Sequence, residues 1–227
     1  MKLFSRKKKL IIFGTGTFGQ LVKYYVDHYV KDYVAYGFTE SPTSPGIYKR
    51  LKNIPYCSFE IIEHVYPPQK YDMFIAVGYR EMNSIREDMY YRAKSKGYNL
   101  PSFSFLTNPL PDNVKIGDNC FIFEDNTIQP FVEIGNNVIL WSGNHIGHHS
   151  QIGDNTFISS HVVVSGNVKI GKNCFLGVNS TVIDGVHIGD NCLIGARSLI
   201  TRNAYLDSVY INKGTRPDIR SSKEMNF

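Results

Sequence analysis

Residues 146–201 read IGHHSQIGDNTFISSHVVVSGNVKIGKNCFLGVNSTVIDGVHIGDNCLIGARSLIT, and an aliphatic side chain returns at every sixth position. Extended both ways, the period runs Leu110, Ile116, Ile122, Ile128, Ile134, Leu140, Ile146, Ile152, Ile158, Val164, Ile170, Leu176, Val182, Ile188, Ile194, Ile200 and Leu206. Glycine often follows the aliphatic residue directly, as at Gly147, Gly153, Gly171 and Gly189. Four residues after it stands a small or β-branched residue such as Ser150, Thr156, Val162, Ser180 or Ser198. Neither a strand of period two nor a helix of period 3.6 gives this pattern; a solenoid does. Three hexapeptides make one triangular coil, with one aliphatic side chain per face pointing into a narrow shaft. Glycine and asparagine serve the corners. Strands stacked at ~4.8 Å make the coils a column ~27 Å tall. Cys120, Cys174 and Cys192 share the small-residue position at multiples of 18, so they are expected to stack inside the shaft as inert thiols.

Outward from the repeat, the composition divides. Of 227 residues, those up to Pro109 hold 13 of the 15 tyrosines and a formal charge of +7; the remainder carries −2 and 12 of the 19 glycines. Three segments follow: 1–109, 110–211 and a tail, 212–227. The longest apolar runs fall well short of the ~18–20 residues a membrane span needs. Arg6 to Lys9 are basic, but Leu10 to Phe13 is too short an apolar stretch for a signal peptide. Four cysteines without a CxxC suggest a reducing cytoplasm. The basic run needs neither nucleic acid nor a membrane as partner.

The first segment reads as a small Rossmann-like α/β domain. A strand at Lys8 to Phe13 leads into Gly14-Thr15-Gly16-Thr17-Phe18-Gly19 and an amphipathic run from Gln20 to Asp32. This is the strand–turn–helix setting in which backbone amides hold phosphate. Val34 to Phe38 is a second strand, and Thr39-Glu40 at its end stands where a ribose hydroxyl is reached. Met73 to Val77 is a third, closed by Gly78. Tyr79 to Lys96 is a helix, and Leu100 to Phe105 a fourth strand. The expected ligand is a mononucleotide moiety, with positive charge suited to a diphosphate, although tight strand–helix packing alone also explains the glycines.

Four of the seven histidines, His145, His148, His149 and His161, cluster in the middle of the repeat. A neutral imidazole takes a proton from an attacking amine or hydroxyl. With GTGTFG, GFTES, FIAVGYREMNSIRE and the stretch quoted first, the chain resembles the NeuD/PglD family of bacterial sugar acyltransferases along nearly its whole length. The resemblance implies a left-handed parallel β-helix, a homotrimer with active sites between subunits, and acetyl-CoA as the acyl donor. The implied acceptor is the amino group of a nucleotide-linked sugar. By position His148 matches the family's base. A carboxylate usually adjoins it, but here the neighbours are Gly147 and His149, so the orienting group is His149 or a residue of another subunit. Gly166 matches a glycine whose amide contacts the acetyl carbonyl; Val178 and Ala196 match the pantetheine grip. A second family histidine is replaced by Phe157, with His161 the candidate substitute. Substrate contacts are expected from Gly14, Gly16, Thr17, Gly19, Thr39, Glu40, Gly78, Tyr79 and Arg80. No metal is expected.

Other readings remain at this level: O-acetylation of a hydroxyl, a non-enzymatic trimeric nucleotide-sugar-binding scaffold, and a zinc enzyme on the same solenoid. The last needs three converging imidazoles, which the close spacing of His145, His148 and His149 does not supply.

Overall fold

The computed structural model describes residues 7–41, 54–215 and 220. Arg6 and most of the tail lie outside them.

The first half is a four-stranded parallel sheet. β1 (Lys8–Phe13) runs into α1 (Thr17–Tyr29) and β2 (Tyr33–Glu40). After β3 (Tyr56–Ser58), a 3-10 turn and α2 (Ile62–Val65) come β4 (Tyr71–Ile75) and α3 (Ser84–Ser95), with spatial order β3-β2-β1-β4. Short β3 was not anticipated. The helix expected from Tyr79 begins later, at Ser84, because Glu81, Met82 and Asn83 all take left-handed conformations. The expected fourth strand also belongs elsewhere: β5 (Phe103–Ser104) pairs with Phe121–Ile122, one coil on, as the first rung of the solenoid.

The second half is a triangular parallel β-helix. Short strands one coil apart pair in register on three faces, as in Ile139↔Phe157, His145↔Val163 and Gln151↔Lys169. In each strand the second residue enters the shaft; Leu140, Ile146, Ile158, Val164, Leu176 and Val182 are wholly buried. Every sixth residue from Asn119 to Arg197 has positive φ and turns a corner. Asparagine holds half of these fourteen corners, since its short amide tolerates the left-handed region. Phe131, His149, His161 and Arg197 occupy it without that advantage.

The period breaks at its end. Ala204 bridges to Ile188, and Val209–Tyr210 pairs with Leu193–Ile194, so the spacing falls from 18 to 16. Leu206, counted above as a shaft residue, is therefore 66% exposed, and Ala204 fills the shaft instead. The shaft cysteines behave as expected: burial pushes Cys120 up to about 11 and Cys174 to about 12, which leaves them protonated and unreactive.

The three faces differ in their outward residues. One presents Phe121, Ile139, Phe157, Phe175 and Leu193; the α/β sheet and α1 pack on it, merging Leu10, Ile12, Val22, Val26 and Phe74 with Phe103, Phe121 and Phe123 in one core. The second carries Lys115, Glu133, Gln151, Lys169 and His187. The third carries Thr127, His145, Val163, Thr181 and Leu199. The corner between the second and third faces holds His148 and His149; that between the first and third holds His161. Among the described residues no helix is long and apolar enough to cross a membrane.

The start of α3 locks the halves together at the remaining corner. There Asn119 donates to Asn137 (2.7 Å) and Asn137 to Asn155 (2.8 Å), a ladder of side-chain amides. Glu87 ends it, accepting from both Asn155 and Asn173 at 3.0 Å. Asn83 donates to the carbonyls of Asn173 and Cys174. Arg86, fully buried, reaches the carbonyls of Asn137, Asn155 and Gly78 and the side-chain oxygen of Asn83.

Candidate active site

His148 follows Gly147 at its corner, where the chain has just left the third face. Its backbone amide donates to Gln129 Oε1 (2.8 Å). Its Nδ1 lies 3.1 Å from His149 Nδ1, so one ring donates and the other accepts. The two rings stand nearly perpendicular, and His149 stacks on Phe131 at 4.5 Å between centroids. Both stacked residues hold left-handed backbone, at φ 64° for Phe131 and 59° for His149. Backbone strain of this kind concentrates at functional sites.

One coil further on is Gly166. A Cβ placed there would lie 2.7 Å from His148 Cε1 and 2.8 Å from Nε2, so the imidazole occupies the space a side chain would fill. The Gly166 carbonyl accepts from Gly185, but its N–H donates no hydrogen bond among the described residues. A free amide beside an exposed imidazole is the pair that acyl transfer needs: a donor for oxyanion charge and an acceptor for a proton. Asp184, which no sequence motif marks, comes next in the same column; its Oδ1 is also 2.8 Å from that Cβ position on Gly166.

His161 and Phe157 lie elsewhere. His161 covers Gly143 at the neighbouring corner, which it shares with Val178 and Ala196. Phe157 is buried on the aromatic face, stacked on Phe175. His145 lies on the third face, and among the described residues no three His, Cys, Asp or Glu side chains are placed to share a metal ion.

The α/β half has its own cleft, about 760 Å³, lined by Gly14, Thr15, Gly16, Glu40, Ala76 and Arg80 among others. Here the three glycines separate. A Cβ at Gly19 would stand 1.9 Å from the Gly14 carbonyl oxygen, and Gly14 has φ +105° with Ala76 O at 2.7 Å. Those two are demanded by strand–helix packing. Around Gly16 and Gly78, by contrast, a Cβ would meet nothing within 4 Å. Gly16 is the N-cap of α1, where no side chain caps the helix and the first turn holds no acidic residue; such an end attracts anions. Thr17 opens the helix. Glu40 accepts from Thr15 Oγ1 at 2.9 Å, while Thr39 is buried in β2. Tyr79 does not line the cleft; its ring packs against both Phe157 and Phe175. The positive charge is not gathered here: Arg80 and Arg92 line the cleft beside Glu40, Glu81 and Asp88, whereas Lys7, Lys8, Lys9 and Lys70 group elsewhere, where β1 and β4 begin.

These glycines give a direct test. Gly16→Ala is expected to cost no more than about 1 kcal/mol, the loss of a favourable N-cap, but raise the KM of any ligand seated on the helix end. Gly19→Ala is expected to destabilise by about 1–3 kcal/mol through overpacking. Thermal melts of both variants distinguish ligand space from packing space; equal melting losses would remove the argument for a ligand at Gly16.

Comparison with known proteins agrees with this architecture. The bacterial transferase hexapeptide (six repeats) pattern matches residues 113–148 and 134–166, and the hexapeptide repeat of succinyl-transferase matches 167–202. A search of curated protein sequences finds no match. Among solved structures, the acetyltransferase domain of PglB from Neisseria gonorrhoeae superposes with a TM-score of 0.76 at 20% identity, covering 89% of this chain and 96% of that one. The same domain in complex with acetyl coenzyme A gives 0.75 at 18%, covering 90% and 96%. PerB from Caulobacter crescentus, in complex with CoA and GDP-perosamine, gives 0.76 at 20%, covering 88% and 92%. The expected repeats and fold are thus both found: residues 113–202 are hexapeptide repeats, and the chain is a small α/β domain running into a left-handed parallel β-helix.

Proposed function

We propose that the chain is an acetyl-CoA-dependent N-acetyltransferase acting on the amino group of a nucleotide-linked sugar. The observation that carries this reading is His148 lying over Gly166, whose amide has no partner among the described residues. With His148 Nδ1 donating to His149 Nδ1, the lone pair on Nε2 is free to take the proton as the amine attacks the thioester. The Gly166 N–H then meets the oxyanion, and His148 returns its proton to the departing thiolate of CoA. No covalent acyl-enzyme is required. The cleft at Gly16 holds the nucleotide, and Val178 and Ala196 hold the pantetheine arm. The solved structures of like fold support the substrates: that of PerB contains CoA and GDP-perosamine, and that of the PglB domain contains acetyl coenzyme A.

A trimer completes the site in this proposal. One face of the prism is covered by the α/β half and another carries charged and polar residues. The third is left with exposed Val163, Ile183 and Leu199, flanked by Val178 at one corner and Phe131 at the other. Three copies packed on that face set the His148 corner of each against the His161 corner of the next, bringing Val178 and Ala196 to His148 across the interface. Closed cyclic symmetry of this kind is the usual arrangement of soluble homo-oligomers. Leu199→Asp is expected to yield monomers by light scattering and to abolish transfer; a trimeric, active variant would exclude this face.

Thiol release from acetyl-CoA, measured across UDP-, dTDP- and GDP-linked amino sugars and the free sugars, tests the function. Turnover of a nucleotide-linked amino sugar above its free counterpart is expected. Activity confined to free sugars would remove the α/β cleft from the reaction.

A further inference from the structure

We infer that Asp184 is the residue that selects an amine over a hydroxyl, holding the substrate's ammonium group beside His148; the inference rests on the acetyltransferase reading above. Its repeat position makes a different role the natural expectation. Asp154 and Asp190 stand at the same place in their hexapeptides, two residues after the shaft aliphatic. Each caps the backbone amide one coil earlier: Asp154 accepts from Asn136 N (2.7 Å), Asp190 from Lys172 N (2.8 Å). Asp184 does not. The amide one coil before it is Gly166 N–H, which stays unpartnered, and the Asp184 carboxylate makes neither a hydrogen bond nor an ion pair among the described residues. Arg202, next in the column, forms no ion pair with it. Instead Asp184 Oδ1 and His148 Nε2 each lie 2.8 Å from the position a Gly166 Cβ would take, so the two acceptors stand no more than twice that distance apart beside this glycine. An ammonium that hydrogen-bonds to both the carboxylate and the imidazole is placed next to the free Gly166 amide.

A carboxylate is suited to an amine for a reason of charge. Near neutral pH a sugar amine is largely an ammonium ion, and a charge-assisted hydrogen bond to a carboxylate is about twice as strong as a neutral one. The proton account separates the two acceptors. The ammonium passes one proton to His148, and the freed amine forms the C–N bond as the thioester carbonyl becomes an oxyanion. On collapse the C–S bond breaks and the CoA thiolate takes that proton from His148. The second proton leaves nitrogen through His148 to solvent. The balance is ammonium sugar plus acetyl-CoA giving N-acetyl sugar, CoA thiol and one proton. A hydroxyl acceptor is neutral and sheds a single proton, which the thiolate keeps, so it presents no cation for Asp184 to hold.

The test uses the full chain, acetyl-CoA, the fastest amino sugar of the nucleotide-linked panel, and the same nucleotide sugar with hydroxyl at that carbon. Asp184→Asn is expected to raise KM for the amine about tenfold, one charged contact's worth, with acetyl-CoA's KM and the melting temperature unchanged. The amine-over-hydroxyl preference should fall by the same factor, and Asp184→Glu should restore part of it. Equal effects on both acceptors, no effect on either, or a native preference for the hydroxyl would overturn the inference. Full transfer by His148→Ala, or no thiol release with any amino sugar, defeats the parent reading and this one with it. Loss of transfer in His148→Ala with an indifferent Asp184→Asn defeats this one alone.

Discussion

On the proposed mechanism, His148→Ala is expected to lower kcat for thiol release by a factor of about a hundred to ten thousand, the usual contribution of a positioned base, with little change in KM for acetyl-CoA. The argument rests on what surrounds the ring. Gln129 and Pro130 hold the backbone amides of His148 and His149. The ring itself touches His149 and the space over Gly166, so its removal costs little packing. Gly166→Ala is a second route to the same loss, because its Cβ would stand 2.7 Å from the ring and move it. His149→Ala is expected to give a smaller deficit, as in this proposal it removes the orienting nitrogen but not the base. His149→Glu retains more activity than His149→Ala, since a carboxylate also accepts from Nδ1 and stabilises the imidazolium better than a neutral ring does. Steady-state kinetics on the four variants check the order. An active His148→Ala, or His149→Ala as damaging as His148→Ala, contradicts these roles.

How much of this was legible in the sequence follows from how local each feature is. The shaft needs one aliphatic residue in six, a rule every coil satisfies by itself, so the period from Ile116 to Ile200 showed the solenoid directly. It failed where pairing, not composition, decides: nothing in the counting marks the shortened last coil that exposes Leu206 and buries Ala204. Phe103–Ser104 failed for the same reason, because its extended segment suits either sheet and its partner lies a full coil away. The glycine turn was legible as a motif, but only the space around each residue separates Gly16 from Gly19. Asp184 was invisible because its repeat position matches that of Asp154 and Asp190, and the difference lies in a hydrogen bond it does not make. The lysines misled through their number, since charge counted along a chain does not say which end of a strand it occupies.

Arg86→Ala is expected to cost about 3–5 kcal/mol, the range for removing one partner from a buried charged network. That is a large fraction of the ~5–15 kcal/mol that holds a typical domain together. Burial pushes the Arg86 guanidinium down to about 9, so it remains charged near neutrality, and its donors are spread over two coils and the loop before α3. Nε reaches Asn137 O, Nη2 reaches Asn155 O, and Nη1 reaches Gly78 O and Asn83 Oδ1. Alanine leaves these acceptors without that donor, opens a void beside Phe157, and takes away the cation that faces Glu87. Arg86→Lys keeps the charge, but its three N–H donors radiate from a single atom and cannot reach acceptors that the guanidinium meets with three separate nitrogens, so it falls between alanine and the native residue. The location determines how the loss shows. Asn83, Arg86 and Glu87 tie the first turn of α3 to the asparagine corner, while the shaft is closed by its own aliphatic ladder. The native chain is therefore expected to unfold in one denaturant transition. In Arg86→Ala the α/β half should release first, splitting the transition into two, the later one near the native midpoint because the coils retain their internal pairing. Tryptophan emission follows the first step, since Trp141 sits under Phe18 of the glycine turn and against Phe123; far-ultraviolet circular dichroism follows the second. A single transition displaced by less than about 1 kcal/mol would show that Arg86 spans the junction without holding it, and the apolar contact of Phe18, Phe74 and Phe121 would then carry the docking alone.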